Sequence, residues 1–151
     1  MEINDIQDSI IEEFEILAED RESTIFYIME LGERLPQFEE KARVDNNLIK
    51  GCQSKVWLYP SLEDGKVYFY ADSNTEITKG LISLLIRIFN GQNPEDIMNT
   101  DLYFVEKIGM HLVIGSQRSN GFSSMIKQMK LYALAFNQIT KTKNQISNKL
   151  Q

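Results

Sequence analysis

Apolar residues recur at the three- and four-residue spacing of a helix in several stretches of this chain. The first stretch carries one apolar stripe, which consists of Ile6, Ile10, Phe14 and Leu17. A second helix is predicted to begin at Ser23 or Thr24, which are good N-cap residues, and to end at Gly32. Because polar residues fill the remaining positions, each helix should bury one face and expose the other.

Further helices are predicted in the second half of the chain. One follows a cap formed by Asp72–Asn74 and has a wide apolar face, which consists of Ile77, Leu81, Leu84, Leu85 and Ile88. The last begins after Arg118–Gly121 and carries one stripe, which consists of Phe122, Ile126, Met129, Ala133 and Phe136. Between them, Asn93-Pro94 signals a short helix, and a second short helix is expected before a turn at Gly115.

A stretch with the two-residue period of strands lies between these helices. Residues 55–59 and 66–71 are predicted to form two strands, and Asp64-Gly65 is a strong turn signal between them. A two-stranded sheet is marginal by itself, so we expect a third strand from Leu48-Ile49 or from Leu112–Ile114. The pattern predicts an α+β fold, with helices packed on a small antiparallel sheet of about three strands.

Composition and charge narrow the possible functions. The chain has 151 residues, of which 42% are hydrophobic, and this fits a single globular domain over residues 1–140 with a polar, frayed tail over 141–151. A net charge of −6 disfavours nucleic-acid binding, which needs a basic surface. The apolar runs are too short to cross a bilayer, and the acidic N-terminus lacks the basic stretch of a signal peptide. We therefore expect a cytoplasmic protein that does not bind membranes.

Cys52 is the only cysteine and the most informative residue. It follows residues 37–51, a segment of about fifteen residues without periodicity, and loops of this length are usually functional or disordered. Free cysteines are commonly small buried hydrophobes, but Gly51 and Gln53-Ser54 do not form an apolar stripe around this one. Lys50 and Lys55 lie close in sequence, which makes them candidates for lowering the thiol pKa.

Other reactive or ligand-binding arrangements find little support. His111 is the only histidine, and a protease pair with Cys52 would need an orienting third group that the sequence does not show. One cysteine and one histidine fall short of the four ligands of a structural zinc site, so we expect no metal. The glycines do not form a phosphate-binding loop. Arg118 stands at a predicted helix start, where it forms either a capping turn or a contact with a partner.

Four segments together resemble the SufE family of sulfur acceptor proteins. Their order and spacing are close to those of the family, and the segments are Leu31–Pro36, Gly51–Trp57, Ala71–Ser73 with Lys79–Leu81, and Arg118–Gly121. Two positions depart from the family pattern. Asn74 replaces an aspartate, and His111 stands seven residues before Arg118, where the family histidine stands five before its arginine.

The resemblance implies a fold similar to the IscU scaffold, with Cys52 at a loop tip. It implies that Cys52 accepts persulfide sulfur from a SufS-type cysteine desulfurase and delivers it to a SufB-type iron–sulfur cluster scaffold. The protein would activate the desulfurase without being an enzyme or holding a cofactor itself, as a monomer or a homodimer. Residues that shape the site or contact the partner would be Gly51, Gln53, Ser54, Asp72 and Arg118.

Two alternatives from other classes remain open. A one-cysteine thiol peroxidase would need a base or an arginine beside Cys52 and turnover with peroxide alone. A pure interaction module would leave Cys52 inert.

Overall fold

The structure is a computed structural model that describes residues 2–17 and 20–150, with the backbone alone described at residue 150. In these ranges seven α-helices surround one two-stranded sheet. The elements in chain order are α1 (Ile3–Glu15), α2 (Arg21–Gly32), β1 (Val56–Glu63), β2 (Lys66–Ser73), α3 (Glu76–Phe89), α4 (Pro94–Asn99), α5 (Phe104–Ile108), α6 (Met110–Ile114) and α7 (Ser116–Leu150). Across the same ranges, none of the helices combines the length and apolarity that crossing a membrane requires.

The two strands form an antiparallel hairpin that is longer than the sequence predicts. The pairing runs from Val56 opposite Ser73 to Glu63 opposite Lys66, so the strands meet at a two-residue turn. Asp64 and Gly65 both have positive φ, 54° and 79°, as the favoured hairpin turn requires. The predicted connector over residues 60–65 is thus largely strand, since Pro60 is tolerated in a strand at the edge of a sheet.

The α+β prediction is confirmed, but the predicted third strand is wrong. Leu48 makes only an isolated bridge to Trp57, and the Ile49 amide donates to the Val56 carbonyl at 2.9 Å. Leu112–Ile114 lies in α6 instead. Helix packing stabilises this small sheet, whose buried residues are Val56, Leu58, Val67, Phe69 and Ala71.

Several predicted helix boundaries shift in the structure. Asp20, not Ser23 or Thr24, caps α2, because its carboxylate accepts from the Glu22 and Ser23 amides at 3.1 and 3.2 Å. The Asp72–Asn74 cap is also wrong. β2 continues through Ser73, and α3 has Thr75 at its N-cap without a side-chain cap bond. The stripe of the first helix is confirmed for Ile6, Ile10 and Phe14, while Leu17 follows the helix end and is half-buried.

The last helix is much longer than predicted. It begins at Ser116, so Arg118–Gly121 lies inside its first turns and not before them. It also continues through Leu150, and the expectation of a frayed tail is therefore wrong, although residues 141–149 are all exposed. The division into a domain and a tail at residue 140 stays a prediction.

Helices α2 and α3 cross at two glycines that allow their backbones to approach closely. A methyl group at Gly80 would lie 1.9 Å from the Ile28 carbonyl oxygen, and one at Gly32 would lie 2.8 Å from the Gly80 amide nitrogen. Neither distance is possible for a real side chain, so the crossing requires glycine at both positions. This rigid contact fixes α3, whose first turn lies beside Cys52.

Candidate functional site

Cys52 lies in a short loop, residues 50–55, between α7 and the start of α3. We call this segment the Cys52 loop. Gly51 adopts a φ of +92°, and a methyl group there would lie 2.5 Å from the Ser124 hydroxyl oxygen of α7. Glycine therefore serves two needs at once, a left-handed turn and a close approach to the helix. The result places the Cys52 side chain, which is half-buried, against α7.

The thiol donates a hydrogen bond from Sγ to the Gly121 carbonyl oxygen over 3.5 Å. A methyl group at Gly121 would lie 3.4 Å from Sγ, an ordinary van der Waals distance, so the sulfur lies directly beside this position of α7. Burial raises the pKa of the Cys52 thiol. The expectation that Lys50 and Lys55 lower this pKa is wrong, because both side chains are exposed and the shift is upward. At rest the sulfur is protonated at neutral pH and weakly nucleophilic.

A pocket of about 150 Å³ opens beside the sulfur, between the Cys52 loop, the start of α3 and the start of α7. Four of the predicted site residues line it: Cys52, Gln53, Ser54 and Arg118. Its apolar wall consists of Ile77, Leu81 and Met125. The pocket is large enough for a few atoms beside the thiol, such as a second sulfur.

A chain of hydroxyl groups holds the end of the Cys52 loop to α3. The Thr78 hydroxyl, on a buried residue, donates to the Ser54 hydroxyl at 3.1 Å, and Ser54 also bonds with the Thr75 hydroxyl at 2.9 Å. The Lys55 amide donates to the Asn74 side-chain oxygen at 3.0 Å. Sequence reasoning missed Thr75 and Thr78, because a threonine in an apolar helix carries no signal of what its hydroxyl contacts.

Asp72 is not among the pocket residues, contrary to its grouping with Cys52 by motif. Its carboxylate pairs with Arg43 at 2.6 Å and with Lys79 at 3.5 Å. The Arg43 guanidinium carbon lies 5.3 Å from the centre of the Phe38 ring and 4.9 Å from the Trp57 ring. Burial opposes ionisation of Asp72, but the hydrogen bonds from Arg43 and the Ser73 backbone and the charge of Lys79 outweigh it, so its pKa is lowered. We call Arg43, Asp72 and Lys79 the Asp72 cluster.

Arg118 and His111 occupy different positions with respect to the thiol. Arg118 is exposed, lines the pocket and donates to the Ile114 carbonyl at 3.5 Å. Because it lies inside α7, the capping-turn interpretation of this residue is wrong. His111 is exposed on α6, where its Nδ1 lies 3.5 Å from the Ser119 hydroxyl, and it does not line the pocket. Within residues 2–17 and 20–150, no three metal-ligating side chains come close enough to hold an ion.

Residues 8–133 match the SufE family, which is described as an Fe–S metabolism associated domain. The chain belongs to the SufE family. The predicted resemblance is therefore confirmed, and a link to iron–sulfur metabolism comes with it. The Cys52 pocket lies within the matched region of this SufE chain, whereas the last part of α7 lies beyond it.

Named relatives agree with this membership. An uncharacterized SufE-like protein of Rhizobium meliloti is 37% identical over 128 residues, which cover 82% of this chain and 91% of that protein. One of Synechocystis sp. is 36% identical over 105 residues, which cover 70% of this chain and 66% of that protein, slightly less than two thirds of its length. The solution structure of a hypothetical protein from Thermus thermophilus has the same fold, with a TM-score of 0.73 at 17% identity, and covers 88% of this chain and 96% of its own.

Proposed function

We propose that this SufE-family protein is a sulfur acceptor and carrier. Cys52 takes the terminal sulfur of a persulfide from a SufS-type cysteine desulfurase and delivers it to a SufB-type iron–sulfur cluster scaffold. The observation that carries the proposal is a single thiol, half-buried at a pocket that has room for one more sulfur atom. By removing the desulfurase's product sulfur, the protein stimulates its partner and is not an enzyme in its own right.

The transfer resembles thiol–disulfide exchange. The Cys52 thiolate attacks the terminal sulfur of the donor persulfide, a new S–S bond forms on Cys52, and the donor cysteine leaves as a thiolate. The Cys52 proton goes to solvent or to the leaving thiolate, and no external oxidant or reductant is required. Because Cys52 is the only cysteine of the chain, no second thiol can attack the new persulfide and release its sulfur.

Transfer requires a change in the state of the resting thiol. The bond to Gly121 and the raised pKa both keep the proton on sulfur, and the thiol is only half exposed. Movement of the Cys52 loop into the partner would break that bond and lower the pKa. Hydrogen exchange of residues 45–54 should therefore speed up in the complex, and equal protection with and without desulfurase contradicts this motion.

The predicted site residues divide into three roles in this proposal. Gly51 permits the turn that brings the loop against α7, and Ser54 fixes the far end of the loop to α3. Gln53 and Arg118 line the pocket, where Arg118 offers a positive charge to a thiolate or persulfide anion. Asp72 lies outside the pocket, and its ion pair with Arg43 stabilises the structure near the base of the Cys52 loop.

The direct test measures sulfur loading by intact mass. We incubate the protein with desulfurase, cysteine and pyridoxal phosphate, and we expect a gain of one sulfur atom together with faster sulfide release. Cys52→Ser should lose both effects. A matched control, Cys52→Ser with Ser123→Cys, moves the thiol to an exposed position of α7 outside the pocket and should also remain unloaded. Full stimulation by Cys52→Ser would overturn the proposal.

The same experiment separates the two alternatives. A one-cysteine peroxidase works through a resting thiolate, whereas burial raises the pKa of Cys52 and favours the protonated form. Catalytic turnover of peroxide without desulfurase would nevertheless favour that alternative. An unmodified Cys52 in both assays would favour an interaction module.

A further inference from the structure

Helix α7 extends well beyond the part of the chain that forms the core. Among the described side chains of this helix, the last buried one is Ala133, and the family match also ends at residue 133. The helix continues for 17 further residues to Leu150, which corresponds to about 25 Å at the rise of an α-helix. We call residues 134–150 the α7 extension. Phe136, in the first turn of the extension, still packs partly buried against the core, whereas the side chains described from 138 to 149 are not among the core residues and none of them lines the Cys52 pocket.

The extension continues the face of α7 that the Cys52 loop contacts. The loop meets α7 at Gly121 and Ser124. At 100° per residue, the positions 7, 11, 15, 18 and 22 residues after Ser124 fall within a sector of about 80° on the same side of the helix. These positions are Leu131, Ala135, Ile139, Thr142 and Ile146. One continuous face thus runs from the reactive loop to the end of the helix.

This face is apolar where a solvated helix would be polar. Leu131, Ile139 and Ile146 expose 47%, 48% and 53% of their surface. At 100° per residue, their stripe lies about 120° around the helix from the buried stripe of Phe122, Met125, Met129 and Ala133. Helix α7 therefore has two apolar stripes, one in the core and one without a partner in the described chain. We call the three exposed residues the outer stripe. Exposed apolar residues aligned in this way are typical of a protein contact surface.

The charges of α7 indicate which kind of partner surface is complementary to the outer stripe. All 22 acidic residues of the chain lie before residue 116, so α7 contains none. Its basic residues are Arg118, Lys127, Lys130, Lys141, Lys143 and Lys149. Pairing of two α7 helices would bring their lysines together, which opposes a second copy as the occupant. An apolar patch with an acidic rim fits both the stripe and its charges.

We propose that the outer stripe is a docking surface for the cysteine desulfurase that loads Cys52, through an apolar patch with an acidic rim on that enzyme. The inference rests on the proposed function and adds a second contact to it, away from the reacting sulfur. A partner that binds Cys52 from the side of the loop already faces α7. The same binding orientation therefore allows it to contact the α7 extension as well. The stripe then contributes affinity and leaves the chemistry of the thiol unchanged.

The test compares two double variants of the full chain. Ile139→Ser with Ile146→Ser removes apolar contacts of the stripe, and Asn144→Ser with Asn148→Ser is the matched control on the other side of the same helix. We expect the stripe variant to raise the Kd for a SufS-type desulfurase about tenfold, because loss of a buried contact residue commonly has that effect. The sulfur transfer rate at saturating protein and the alkylation rate of Cys52 by iodoacetamide should stay unchanged. The control should match the wild type in all three measurements.

Two further experiments test the charge dependence of desulfurase binding and the self-association of this chain. Lys141→Glu with Lys143→Glu should weaken desulfurase binding, and added salt should weaken binding of the wild type. An unchanged Kd for the stripe variant overturns this inference, while wild-type loading of Cys52 leaves the proposed function standing. If sedimentation shows a wild-type dimer that the stripe variant dissociates, with the Kd for desulfurase unchanged, the stripe pairs copies of this chain and the inference is also overturned. Failure of the wild type to accept sulfur instead overturns the proposed function itself.

Discussion

The α2–α3 crossing and the Cys52 loop are both built on glycines, but they are held in opposite ways. At the crossing, Gly32 and Gly80 bring two backbones into direct contact, and no side chain fits between them. At the loop, Gly121 leaves room for a sulfur atom at ordinary contact distance. The loop is otherwise fixed by the close approach of Gly51 to Ser124, one weak thiol hydrogen bond, a few hydroxyls and the bond from the Lys55 amide to Asn74.

In the proposed function, this difference separates a fixed wall of the pocket from a loop that moves. Helix α3 forms one wall of the pocket, and its crossing with α2 fixes that wall. The loop can leave the wall by breaking contacts that each contribute about 1 kcal/mol. The proposed transfer of sulfur to and from two partners needs both properties.

The largest effect should come from a methyl group added at the crossing. Gly80→Ala requires the Ile28 backbone to move, because the new carbon would lie 1.9 Å from its carbonyl oxygen. We expect a loss of about 3 kcal/mol in the free energy of unfolding, measured by urea denaturation. The methyl group of Gly121→Ala, also in a helix, would meet Cys52 only at ordinary contact distances, the nearest being 3.4 Å to Sγ, and should leave this free energy nearly unchanged. Equal losses in the two variants would show that the two regions do not differ in packing.

A smaller effect is expected at the Asp72 cluster near the base of the loop. Asp72→Asn removes the charge that pairs with Arg43 and Lys79. We expect this variant to lower the free energy of unfolding by about 1 to 2 kcal/mol at neutral pH, measured by urea denaturation. Glu40 is an exposed partner of the same arginine, and Glu40→Gln should lower the free energy of unfolding by less than about 0.5 kcal/mol.

The Asp72 cluster also predicts a pH dependence. The folded-state pKa of Asp72 is lowered, so its contribution is present above its unfolded pKa and is lost as pH falls through the folded value. Acid should therefore destabilise the wild type more than Asp72→Asn. Parallel stability curves of the two proteins below about pH 5 would contradict the assigned ion pair.

The smallest change in stability, and a clear change in reactivity, should follow from Thr78→Val. Without its hydroxyl the Ser54 end of the loop loses a contact to α3, so Cys52 should be exposed more often. Since burial raises the pKa of Cys52, we expect the midpoint of its alkylation by iodoacetamide to move to lower pH and the rate at neutral pH to rise about threefold. Thr142→Val, on an exposed threonine of α7, is the matched control and should alkylate as the wild type does. If the alkylation midpoint of Thr78→Val equals that of the wild type, the Thr78 hydroxyl does not hold the Cys52 loop in place.

The sequence predicted those features that depend on local pattern. The hairpin turn at Asp64-Gly65, the cap at Asn93 and the buried stripes follow from residue types at short spacing. The start of α7 was missed because Arg118–Gly121 has the composition of a turn, although core contacts of the following residues hold it in a helix.

The structure brings together part of the predicted set of site residues, whose roles stay predictions. Cys52 was singled out because it is the only cysteine of the chain and lies in a family motif. Gln53, Ser54 and Arg118 line the same pocket as Cys52. The partners of Asp72 and Ser54 are 29 and 24 residues away along the chain, and no local pattern encodes such pairings. Likewise, the direction of the Cys52 pKa follows from burial by distant segments and not from the neighbouring lysines.

The thiol and the carbonyl that covers it are separated by 69 residues of chain. At a synthesis rate of about 5 to 20 residues per second, Gly121 is added roughly 3 to 14 s after Cys52. Until then the growing chain lacks the carbonyl that accepts the hydrogen bond of the thiol. The cysteine is therefore made before the segment of helix that packs against it, and this contact can form only late in synthesis.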